Sequence, residues 1–100
     1  MSLEAEIRNV LRTGKVVLGA RRTLKLAKLG RLRAIIMASA APPEIKSDVR
    51  YYAKLSGIPV FEYRGTSIEL GALCGKPFSV AVIGVIDPGE SRLLEAEEGG

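Results

Sequence analysis

One hundred residues suffice for a single domain with one core, and a hydrophobic content of 47% belongs to a folded globular chain rather than a disordered basic tail. The chain has no histidine and one cysteine, Cys74, which removes imidazole acid–base catalysis, Ser–His and Cys–His dyads, an internal disulfide and ordinary zinc sites. The net charge of +4 is unevenly spread: nine of the fifteen Lys and Arg lie between Ile7 and Pro43, a stretch without Asp or Glu, and the other six face all eleven acidic residues.

Glycines and prolines divide the chain into alternating patterns. Leu3, Ile7, Val10 and Leu11 have helical spacing over 3–12, and Gly14 follows where a helix ends. Lys15-Val16-Val17-Leu18 reads as a short strand. A second helix is predicted over 19–29, closed by Gly30. Ala34-Ile35-Ile36-Met37-Ala38 is a buried strand, stopped by Pro42-Pro43, and Pro43 suits the first turn of the next helix. That third helix, 44–56, places Ile45, Val49, Tyr52 and Ala53 on one face. Of the adjacent Tyr51 and Tyr52 at most one can face the core, and Tyr51 is expected to pack between elements rather than to serve as a stacking platform. A third strand covers 59–63. Thr66 with Glu69 forms a capping box for a short helix reaching Cys74. The nearly continuous apolar run 79–86 predicts a last strand covered on both faces. Asp87-Pro88-Gly89 is a turn, and the acidic, glycine-ended residues 95–100 are expected to fray. The alternation predicts one α/β domain over 1–100, with helices on both faces of a sheet.

The second helix carries the charge. Arg21, Lys25 and Lys28 share one arc, Ala20, Leu24 and Ala27 share another, and Arg22 lies further round. One side can therefore pack on the sheet while another presents a ladder of cations. Unpaired amides at Gly19 and Ala20, with the positive end of the helix dipole behind them, make the helix mouth a docking corner for a polyanion. Exposed cations on a helix are ordinarily only solvated surface; the absence of local carboxylates favours a polyanion site, with Glu44 and Asp48 the residues that could neutralise it through space. Phe78, in the loop before the last strand, is an aromatic placed either to seed the core or to meet an unstacked base.

Other chemistry falls away. Thr13-Gly14-Lys15 lacks the leading glycine and the following helix of a phosphate loop. Glu62 and Glu69 could be drawn as an acid–base pair, but Glu69 is already explained as a cap. Cys74 is expected to be a small buried apolar residue. No catalytic residue, metal ligand or cofactor is predicted. No apolar run reaches the ~20 residues of a membrane span, and the acidic start 2–6 has no pattern of a secretory signal.

Four ordered segments carry a family resemblance: residues 13–19, TGKVVLG; 51–60, YYAKLSGIPV; 65–71, GTSIELG; and 87–91, DPGES. Together the chain, from about residue 3 to 94, resembles the archaeal and eukaryotic large-subunit ribosomal protein thirty family of the "e" type. The resemblance implies a three-layer α/β/α sandwich around a mixed four-stranded sheet. It implies binding to ribosomal RNA, in the form of a kink-turn, by a cytoplasmic ribosomal component that is a monomer when free, has other ribosomal proteins as neighbours, and needs no membrane and no enzymatic activity. It assigns RNA contacts to Gly19 and Arg21 at the helix entry and to Phe78 and Val80 near the last strand. Arg22, Lys25, Lys46 and Lys76 are added on charge and placement. Many members have Asn where this chain has Ala40, so that base contact would pass to the backbone or to Ser39; Ala20-Arg21-Arg22 stands where kink-turn proteins of modification particles carry Asn-Glu. The alternatives are a kink-turn adaptor outside the ribosome, a protein-interaction module for an acidic partner, and a small-ligand-binding α/β enzyme.

Overall fold

The computed structural model describes residues 2–95; the expected fraying tail lies, beyond Glu95, outside the described residues. The order is α1 (Leu3–Thr13), β1 (Lys15–Leu18), α2 (Ala20–Lys28), β2 (Ala34–Ala38), α3 (Pro43–Ser56), β3 (Val60–Tyr63), α4 (Ser67–Leu73) and β4 (Val82–Asp87), followed by a 3-10 turn at Leu93–Glu95. The strands form one sheet in the order β1-β4-β2-β3. β4 is antiparallel to both β1 and β2, and β3 is parallel to β2. The sheet is therefore mixed, as expected.

Side-chain alternation splits the core in two. Ala34, Ile36 and Ala38 of β2 join Ile83 and Val85 of β4 under α1 and α4, with Ile7, Val10 and Leu70. Ile35 and Met37 turn the other way with Val82, under Ala27 of α2 and Val49 and Ala53 of α3. Each fully buried aliphatic side chain contributes about 1.5–3 kcal/mol of transfer free energy. A β2 with every residue buried is what a central strand between two helical layers requires.

Turn chemistry holds the ends. Ser2 caps α1 by accepting the Ala5 amide, and Thr66 and Glu69 close a reciprocal capping box on α4. Gly57 ends α3 in the left-handed region at φ 67°, which glycine adopts without a β-carbon penalty.

β4 begins later than the apolar run predicts, at Val82 rather than Ser79. The amide of Val80 donates to the carbonyl of Ser67 on α4, 2.8 Å away, so the chain there is tied to a helix end and not to a strand. Glu62 and Glu69 have separate duties: Glu62 pairs with Arg50 at 2.6 Å, and Glu69 caps α4. Cys74 is half-buried against the α1/α4 core, and burial pushes its thiol pKa up.

Candidate nucleic-acid interface

α2 is built to leave its N-terminus uncompensated. Its N-cap is Gly19, at φ 105° and ψ 148°, a conformation closed to most other residues. A glycine cap offers no side-chain acceptor, and no acid lies in the first turn. Among the described residues α1, α3 and α4 each place at least one glutamate there, so α2 is the exception. Thr23, fully buried, donates its hydroxyl to the Gly19 carbonyl at 2.7 Å and locks the entry from below. Its place between Ala20 and Ala27 on the packing arc was the signal for this in the sequence.

Gly19 itself does not offer its amide. That N–H donates to the carbonyl of Val82 at 2.8 Å, one bond beyond the β1–β4 ladder. The amides of Ala20, Arg21 and Arg22 are the ones left without an acceptor among the described residues. The free donors thus sit one step further along the helix than the sequence suggests.

The cations around this mouth also lack acidic partners. The described ion pairs are Arg8–Glu4, Arg50–Glu62 and Arg92–Glu95, and none involves α2. Neither Glu44 nor Asp48 neutralises Arg21, Arg22 or Lys25, all of which are exposed. An unpaired cation row retains its attraction for an external anion, because no internal carboxylate competes.

Phe78 meets this mouth from the other side of β1. It lines a groove of about 480 Å³ together with Val16, Val17, Leu18, Arg22 and Lys76. Its ring is 56% exposed. A second groove, of about 420 Å³, runs along the opposite flank of Phe78, between Ile68, Ala72 and Pro77. Lys76 borders both. An apolar ridge flanked by cations and free amides can hold phosphate and base at once, the combination that RNA readers use. Arg21 shares the helix mouth with Arg22 but does not line the groove; Lys25 continues the row one turn on.

Two expected contacts change character. Val80 is 2% exposed and packs in the α1/α4 core, so its side chain supports the Phe78 loop from within and has no surface for a base. Lys46 donates from Nζ to the carbonyl of Ser39 at 2.9 Å, fastening α3 to the end of β2. The Ser39 hydroxyl, a possible substitute for the missing Asn, accepts the Gly65 amide at 3.0 Å and donates to the Gly65 carbonyl at 3.3 Å. Ala40 beside it is exposed and bonded through its amide to the same carbonyl. Tyr51, expected to pack between elements, is 62% exposed, while Tyr52 packs on the core.

Sequence comparison gives these features a context. Residues 1–95 match the ribosomal protein L7Ae/L30e/S12e/Gadd45 family. The chain is 54% identical over 92 residues to the large ribosomal subunit protein eL30 of Sulfurisphaera tokodaii, covering 92% of this chain and 87% of that one. It is 48% identical to the protein of the same name from Methanothermobacter thermautotrophicus, over 95% of this chain and 97% of the other. It is 46% identical to that of Saccharolobus solfataricus, over 95% and 88%.

Proposed function

Because the chain belongs to the ribosomal protein L7Ae/L30e/S12e/Gadd45 family, we propose that it is a constituent of the large ribosomal subunit that binds ribosomal RNA, and that the RNA form it grips is a kink-turn. The observation that carries the RNA contact is the shared groove of Arg22, Lys76 and Phe78 beside an uncapped helix mouth. Arg21, Arg22, Lys25 and Lys76 hold the phosphate backbone. The free amides of α2, with Gly19 giving close access, take one phosphate oxygen. Phe78 packs against a base that the bend has turned out of its stack. Lys46 and Val80 maintain the platform from behind.

The role is binding, without a catalytic step or cofactor. The free protein is a monomer, its partners in the ribosome are RNA and neighbouring ribosomal proteins, and it works in the cytoplasm. Among the described residues no helix is long and apolar enough to cross a membrane.

The test has two arms. In gel-shift titrations the protein binds a kink-turn RNA more tightly than a straight duplex of equal length and composition; equal affinity for the two would contradict shape recognition. In lysate it co-sediments with large subunits at moderate salt. Kink-turn binding with no subunit association would instead identify an adaptor outside the ribosome.

A further inference from the structure

The cation row of α2 does not stop at the helix mouth. Arg21, Lys25 and Lys28 lie along one arc of α2, and the first and last are separated by about 10 Å of helix. At the far end, Nζ of Lys28 stands 4.7 Å from the centre of the Tyr52 ring. Tyr52 meets Tyr51 edge to face, with centroids 4.9 Å apart and planes at 86°. The helix ends are fastened there by the Ser56 hydroxyl, which donates to the Ala27 carbonyl at 2.9 Å. The row therefore ends on Tyr52, whose ring is the edge-to-face neighbour of Tyr51. Tyr51 is 62% exposed, and Leu55, one turn along α3, is 70% exposed.

These exposures have no account within the fold. Tyr52, partly buried, already packs against the α2/α3 core, and a ring as open as Tyr51 adds little burial. The charge is equally unaccounted for: Lys25, Lys28 and Lys54 have no carboxylate partner among the described residues. Tyr51 shares its face of α3 with the exposed carboxylates Glu44 and Asp48, but the unpaired Lys25, Lys28 and Lys54 outnumber them. An exposed ring on a surface of net positive charge matches the chemistry of a single nucleic-acid strand, with a base for the ring and phosphates for the ammonium groups. A protein partner fits less well, because the buried centre of a protein interface is depleted of charge.

We propose that Tyr51 is a stacking platform for an unpaired base of an RNA strand that leaves the α2 mouth along Arg21, Lys25 and Lys28. The inference rests on the RNA-binding reading above and extends it. The chain would hold two parts of one RNA, the bent element at the mouth and a single-stranded extension on the outer face of the α2/α3 layer.

The experiment compares two probes: a blunt kink-turn RNA, and the same RNA with single-stranded tails of about ten adenosines on its ends, long enough to cover several stacking positions. The full chain binds the tailed RNA at least about fivefold more tightly, the lower end of one aromatic stacking contact. Tyr51→Ala removes that gain and leaves the blunt RNA bound as before. Tyr51→Phe keeps the gain, because the ring and not the hydroxyl stacks, and Lys28→Gln reduces it. Circular dichroism melts verify that each variant is folded. Equal affinity of the unaltered protein for tailed and blunt RNA overturns the inference, as does a gain that survives in Tyr51→Ala; the face would then be left to an acidic protein partner. Failure to bind even the blunt RNA overturns the functional reading itself, so the two failures are distinguishable.

Discussion

The backbone of Gly71 in α4 lies against the carbonyl oxygen of Phe78, so closely that a β-carbon at position 71 would overlap it. The contact, with the Val80–Ser67 hydrogen bond beside it, seats the loop before β4 on the helix and fixes where the Phe78 ring emerges. Gly71→Ala would gain about 1 kcal/mol of helix propensity. Overlap with a backbone atom costs more, typically about 1–3 kcal/mol for overpacking, and cannot be relieved by a rotamer change. The variant is therefore expected to be destabilised in a urea titration. RNA affinity should also fall under conditions where it remains folded, because the loop must shift.

Phe78 and Val80 should separate cleanly. Phe78→Ala leaves stability nearly unchanged, since the ring is more than half exposed, and weakens RNA binding by about 1–3 kcal/mol, the worth of one base–aromatic contact. Val80→Ala does the reverse. It removes buried methyl groups at a cost of about 2 kcal/mol in stability, with RNA affinity preserved when the variant is folded. Paired unfolding and binding curves on both variants check this.

Arg22 makes no ion pair among the described residues, so Arg22→Gln should melt with the unaltered protein. Its effect appears in the salt dependence of binding. Each phosphate neutralised contributes about 0.7–0.9 to the slope of log affinity against log salt, and loss of one contact flattens the slope by roughly that amount. Filter-binding titrations over a range of KCl concentrations measure it.

The carboxyl of Glu6 is held below its ordinary value of 4.5, chiefly by the backbone N–H of Arg92, which donates to it at 2.6 Å, with the Ser91 hydroxyl adding to the effect. A carboxylate whose folded pKa is depressed stabilises the fold above its unfolded value, and that contribution is lost as pH falls through the folded value. Melting temperature should therefore drop on acidification past 4.5. Glu6→Gln should melt lower at neutral pH and lose less on acidification. Thermal melts of both proteins across this range check the sign.

The elements were legible because glycine and proline mark their ends and because periodicity separates Ala20, Leu24 and Ala27 from Arg21, Lys25 and Lys28. The Thr66–Glu69 capping box was legible for the same local reason. What the sequence hid depends on distant partners. Phe78 and Val80 look alike in an apolar run; Ser67 and Gly71 on α4 seat the loop so that one emerges and the other is buried. Gly19 looks like a free amide until Val82 is placed opposite it. The resemblance to a ribosomal family was readable from four short segments, but the groove joining Arg22 to Phe78 requires β1 and β4 to be neighbours, which no local pattern states.

The central claim is that the mouth of α2 and the loop before β4 act as one RNA platform, and amide chemical-shift mapping tests it most directly. On titration with a kink-turn RNA, signals from Gly19 to Lys25 and from Lys76 to Ser79 should move together, with one common dissociation constant. Movement at only one of these two segments, or at neither while α1 responds, would contradict the claim.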